Sequence, residues 1–150
     1  MYEDTINKIR NSVGKNKIWV SIDETSDADG RNVSNVVFGT LKREHPGEIF
    51  LLACEVLERV NDSSIAVVLG NAMNLLWPDK IERDYVFLFV SDAAPYMIKA
   101  AKALQLLYPK MIHVTCLVHS LHQRFSTFVR QRSGKFFFYK TRARSQQIYS

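Results

Sequence analysis

Apolar residues first recur with a helical period. Ile6, Ile9 and Val13 fall three and four positions apart. That spacing predicts a short amphipathic helix over Tyr2–Val13, with Gly14 placed to cap its C-terminus. The pattern then tightens. Ile18-Trp19-Val20-Ser21-Ile22-Asp23 is rich in β-branched and aromatic residues and predicts a strand. Asp27-Ala28-Asp29-Gly30 is a turn signal, and Val33 to Leu41 reads as a second strand. His45-Pro46-Gly47 is another turn, and Ile49 to Leu57 reads as a third strand. Short turns between three consecutive strands predict an antiparallel meander.

Helical spacing returns after residue 60. Asp62 or Ser63 is the expected cap of a helix from Ser64 to about Leu76, with Ile65, Val68, Leu69, Met73 and Leu76 on one face. Trp77-Pro78 ends it. Tyr85-Val86-Phe87-Leu88-Phe89-Val90 is an unbroken apolar run, the pattern of a strand buried on both faces, and it stops at Ser91-Asp92. A helix is predicted over Ala94–Leu107 with Pro95 in its first turn, then a short strand over Met111–Thr115. A last helix is predicted from Leu117 to about Arg130. Three antiparallel strands followed by αβαβα predict an α/β fold, a mixed sheet with helices packed on it. The expected divisions are an N-terminal helix over 1–14, one α/β core over 15–131, and a poorly ordered basic and aromatic tail over 132–150.

Composition adds limits. With 150 residues, 47% hydrophobic and 23% charged, the chain fits one ordinary globular domain. No apolar run approaches the roughly 20 residues of a membrane span, so no membrane partner is expected. The start Met1-Tyr2-Glu3-Asp4 does not read as a signal peptide. Two cysteines make no disulfide framework, which points away from secretion. Charge is unevenly spread. Residues 1–92 carry ten Lys and Arg against fifteen Asp and Glu, a net of −5, whereas residues 93–150 carry ten basic residues and no acid, a net of +10. A basic C-terminal third can bind phosphates by releasing counterions. Arg124, Arg130 and Arg132 are the candidate nucleic-acid-binding residues, although a solvated face would show the same charge.

Asp23 and Asp92 are the residues with the most chemical promise. Each stands near the end of a predicted strand, where open α/β sheets place their ligands. If those two strands are neighbours, the carboxylates face one crevice and can share a divalent ion. Nucleases that transfer phosphoryl groups use such ions to activate water and stabilise the leaving oxygen. The plainer alternative is that Asp92 only caps the following helix and Asp23 only marks a polar strand exit.

Three segments carry a family resemblance. Ser21-Ile22-Asp23-Glu24-Thr25-Ser26-Asp27 resembles the first catalytic-strand motif of hAT-superfamily transposases. Ser91-Asp92-Ala93-Ala94-Pro95-Tyr96-Met97 resembles their second, and Cys116-Leu117-Val118-His119 resembles their Cys-x-x-His segment. All three occur in the family's order over about residues 15–130. The resemblance implies a ribonuclease H-like core. It also implies that Asp23 and Asp92 are the first two acids of an Asp-Asp-Glu metal triad using Mg²⁺ or Mn²⁺, with Cys116 and His119 supporting the site. The sequence departs from the pattern at Ala93, where the family has Gly. It also has no acid after Asp92 to serve as the third ligand. The expected reading is therefore a truncated or frame-altered, catalytically incomplete domain that binds DNA or protein, in the nucleus or cytoplasm. The alternative is a metal-dependent strand-transfer or nuclease core completed in trans or by a longer isoform.

Other chemistries fit less well. Cys116, His119 and His122, with His113 upstream, suggest zinc. On a helix, however, steps of three residues drift by about 60° each and spread the ligands over two faces, so no zinc is expected. A Cys116–His119 nucleophile pair would stack on a helix rather than align. No glycine-rich phosphate loop is present in the sequence. No small-molecule substrate is expected, and self-association is a further possibility if apolar surface stays uncovered.

Overall fold

The computed structural model describes residues 2–44 and 46–118. Helix α1 spans Tyr2–Val13, with Ile6, Ile9 and Val13 buried as their spacing requires. Gly14 follows at φ +48°, a left-handed turn that glycine adopts cheaply, and its N–H bonds Arg10 O at 3.0 Å. Strands β1 (Lys17–Ser26), β2 (Asn32–Leu41) and β3 (Ile49–Leu57) form the antiparallel meander. The first turn is fixed by Asp27, whose carboxylate accepts from the backbone N–H groups of Asp29 and Arg31 and from Arg31 Nε.

Helix α2 (Asp62–Leu76) starts two residues earlier than the expected Ser64. Its cap is Asn61, neither Asp62 nor Ser63. Asn61 Oδ1 accepts from Ser64 N–H at 2.8 Å, and Ser64 Oγ accepts from Asn61 N–H at 3.0 Å, a reciprocal capping box. A 3₁₀ turn at Arg83–Tyr85 precedes β4 (Val86–Ser91). Helix α3 (Pro95–Leu107) has proline in its first turn, and β5 (Ile112–Thr115) follows. The helix expected from Leu117 begins at Leu117 and Val118; the rest of it, and the tail over 132–150, lie outside the described residues.

The sheet order is β3-β2-β1-β4-β5, with β1/β4 and β4/β5 parallel. This five-stranded mixed sheet with its helices is an α/β architecture of the ribonuclease H-like kind. Ile18, Val20 and Ile22 of β1 stand opposite Thr40, Phe38 and Val36 of β2, all buried. They join one core with the apolar stripes of α1, α2 and α3, so these three helices cover the same face. Arg10 ties two of them together by donating to Leu75 O at 2.7 and 3.1 Å.

The other face is apolar too. Trp19, Val37, Leu51, Leu88 and Val90 alternate with the core residues along their strands. The Trp19 indole lies over Gly39, where a β-carbon would sit 2.5 Å from Nε1. The expectation that β4 is buried on both faces needs correcting. Val86 and Phe89 are buried, whereas Phe87, Leu88 and Val90 are only partly so. The reason is that, among the described residues, helices pack on one side only.

Candidate functional site

β1 and β4 are adjacent, which is the condition for Asp23 and Asp92 to meet. Their parallel register pairs Val20 with Phe89 and Ser21 with Val90. Two residues further along each chain, the same register sets Asp23 level with Asp92. Pairing with β2 carries β1 three residues past Asp23, to Ser26, so Asp23 lies inside the strand rather than at its end. Asp23 is exposed and stands opposite Asn35. Asp92 is the residue after β4 and is half-buried. One of its oxygens, Oδ1, accepts from Ala94 N–H at 3.0 Å. The plainer role of Asp92, at the start of α3, is therefore real and occupies one oxygen.

A third carboxylate joins this corner. Glu24 follows Asp23 and, by strand alternation, turns toward the helices. There Tyr96, in the first turn of α3, donates its hydroxyl to Glu24 Oε2 at 3.0 Å. Burial pushes the Glu24 carboxyl above the usual glutamate range. The Tyr96 bond opposes this, while the charges of Asp92 and then Asp23 add to it. The Tyr96 phenol is also raised, by burial first and then by its bond to Glu24 and the three nearby carboxylates. Both groups feel Asp23 and Asp92, so the acids converge on one corner. Directly opposite Glu24 in the register is Ser34. Glu24 Oε1 and Ser34 Oγ are both buried without a hydrogen-bond partner.

Ser91 links the acid corner to β5. Its hydroxyl donates to Asp92 O at 2.9 Å and lies 2.8 Å from His113 Nε2. Its carbonyl accepts from Cys116 N–H at 2.7 Å. Cys116 is thus half-buried beside the strand end that precedes Asp92. The His113 ring is 5.4 Å from that of Phe89, and burial holds its pKa below the ordinary value.

Of the residues singled out from sequence, Asp23, Asp92 and Cys116 come together at one end of the sheet. His119, Arg124, Arg130 and Arg132, along with His122, lie outside the described residues. Among the described residues, no group of three or more His, Cys, Asp and Glu is arranged to hold a metal ion. Glu24, Tyr96, Ser91 and His113 were not anticipated as parts of this corner. For Glu24 the available signal was its place next to Asp23. For Tyr96 it was a bulky hydroxyl in the turn after Asp92.

Among the described residues, no helix is long and apolar enough to cross a membrane. Comparison with curated proteins finds no match. A family model does match, over residues 2–140, and so takes in α1 and the whole sheet as well as the acid corner. The chain belongs to the family described as Domain of unknown function (DUF659).

Proposed function

We propose that this chain is a ribonuclease H-like domain of hAT transposase descent that retains two acids of a metal site and acts by binding DNA rather than cutting it. The observation that carries the reading is the β1/β4 register, which sets Asp23 level with Asp92 at one corner of the sheet. A hydrated Mg²⁺ or Mn²⁺ is commonly held by one or two carboxylates and its own waters. Asp23 and the second oxygen of Asp92 fit that modest requirement. When bound, such an ion polarises a phosphoryl oxygen and lowers the pKa of its water. No acid follows Asp92 within these 150 residues. Its basic C-terminal third, including Arg124, Arg130 and Arg132, supplies phosphate contacts.

Calorimetric titration with Mn²⁺ and Mg²⁺, paired with nicking and strand-transfer assays, tests this. Weak binding that disappears in Asp23→Asn, together with DNA binding and no turnover, is the expected result. Turnover abolished by Asp92→Ala would replace this reading with a second one, a catalytic core whose third acid comes from another chain or a longer form. The retention of both aspartates at adjacent strand positions is what favours that alternative. Metal binding indifferent to Asp23→Asn would remove both readings.

A further inference from the structure

Residues 1–92 carry ten Lys and Arg against fifteen Asp and Glu, yet four of those ten cations crowd round one place. Lys15, Lys17, Lys42 and Arg43 line an open cleft of about 440 Å³. Among the described residues that line it, Glu44 is the one acid. The cleft forms where the chain enters β1 and leaves β2. Lys17 is paired with Leu41 in the register, so the residues just before β1 and just after β2 come together.

The walls are held in place. Thr40 N–H donates to Glu48 O and Glu48 N–H to Thr40 Oγ1, both at 3.1 Å, which closes the turn between β2 and β3. Gly47 permits that closure, since a β-carbon there would overlap Thr40 O. The Ser12 hydroxyl donates to the Glu48 carboxylate and ties α1 to the same turn. Lys17 Nζ sits 4.5 Å from the centre of the Phe87 ring, and Lys42 Nζ lies 3.5 Å from Glu48 Oε2. Lys15 and Arg43 are exposed and have no ion-pair partner among the described residues. Like charges gathered in this way repel one another, and a bound anion relieves the repulsion. The carbonyls at the C-terminus of α1 would oppose an anion if they were bare. Gly14 N–H covers Arg10 O, and Asn16 covers Val13 O with its backbone N–H at 2.9 Å and its side-chain amide at 3.0 Å.

The lining also selects the kind of anion. Three of the four cations are lysines, point charges suited to phosphate oxygens, and no aromatic ring lines the cleft for a base to stack on. Contacts of that kind track a nucleic-acid backbone and carry no sequence information. Lys17 stands six residues before Asp23 on β1, roughly 20 Å away, so no single phosphate touches both this cleft and the acid corner. We propose that the cleft is a second phosphate-binding surface, gripping the DNA backbone at the end of the sheet away from the acid corner. It rests on the proposed DNA binding, but on none of the arginines of the basic C-terminal third.

Salt titrations of duplex binding by the full chain test it, with two duplexes of unrelated sequence. Lys15→Gln with Arg43→Gln removes the two unpaired charges. Lys99→Gln with Lys102→Gln, both exposed on α3, removes as much charge away from the cleft. The cleft variant should bind both duplexes roughly tenfold more weakly or worse at about 50 mM salt, and lower the slope of log affinity against log salt by about 2. The α3 variant should do neither. An equal loss in the two variants overturns the proposal, and so does unchanged duplex binding in the cleft variant. If binding is then lost on replacing Arg124, Arg130 and Arg132, the DNA reading stands without the cleft. No duplex binding by the unchanged chain removes both. Weaker pyrophosphate binding in the cleft variant with duplex binding intact also overturns the proposal, by assigning the cleft to a small anion. Should the cleft variant fail to fold, amine labelling of the unchanged chain decides: DNA should protect Lys15 and Lys17 but not Lys99 and Lys102, and equal labelling of all four overturns the proposal.

Discussion

The Ser91 hydroxyl lies 2.8 Å from His113 Nε2, joining the last residue of β4 to the middle of β5. Ser91 is 2% exposed, and its single hydroxyl proton is directed at Asp92 O. The neutral imidazole tautomer with its proton on Nε2 lets both contacts of the Ser91 hydroxyl form at once. This pair anchors the backbone immediately before Asp92. The geometry of the acid corner thus depends on a strand that carries no acid.

The pair gives stability a pH dependence. Burial lowers the folded-state pKa of His113 below its ordinary 6.5. Protonation consequently favours the unfolded chain. The stability contribution is fully present above pH 6.5 and is lost as pH falls from there toward the folded value. Melting curves of the unchanged protein and of His113→Gln between pH 8 and 5 should diverge below 6.5, with the unchanged protein losing more. Parallel curves would show that His113 has the same pKa in the folded and unfolded states. Ser91→Ala should cost about 1–2 kcal/mol at pH 8, where the histidine is left without its partner.

Glu24 has the opposite sign. Its folded pKa is raised above the ordinary 4.5, so its contribution is fully present below pH 4.5 and lost as pH rises through the folded value. Glu24→Gln keeps an acceptor for Tyr96 and gains a donor that can reach toward Ser34. Its melting temperature should match that of the unchanged protein near pH 4 and exceed it by roughly 2–4 °C at pH 8. A variant less stable at pH 8 would mean that the ionised carboxylate has a partner, and a bound cation would then be the first candidate.

Gly39 tests the packing of the open face. A methyl group there would sit 2.5 Å from Trp19 Nε1, inside any tolerable contact. Gly39→Ala must swing the indole away, at a cost of about 1–3 kcal/mol. Trp19 emission in a Trp77→Phe background should shift at the same time. An unchanged melting temperature and spectrum would place the indole elsewhere.

DNA binding, if it runs through the basic third of the chain, must depend on salt. Each phosphate contact contributes about 0.9 to the slope of log affinity against log salt. Replacing Arg124, Arg130 and Arg132 together by alanine should lower that slope by roughly 2–3 and weaken binding alike for unrelated sequences. A slope that does not change would locate the contacts on other residues.

Much of the architecture was legible before any coordinates. The meander and both later helices follow from spacing, because an apolar period is a property of one strand or helix and its own burial. Asp23 and Asp92 could be picked out as residues. The sequence could not show that their strands are neighbours. That depends on β4 pairing with β1 across more than 60 intervening residues, a choice made by shared core packing and not by either strand alone. The same limit hid Glu24 against Tyr96 and Ser91 against His113, which are 72 and 22 residues apart. It also explains the misreading of β4. An unbroken apolar run records that both faces of a strand avoid water, but only the placement of the helices tells which face is already covered.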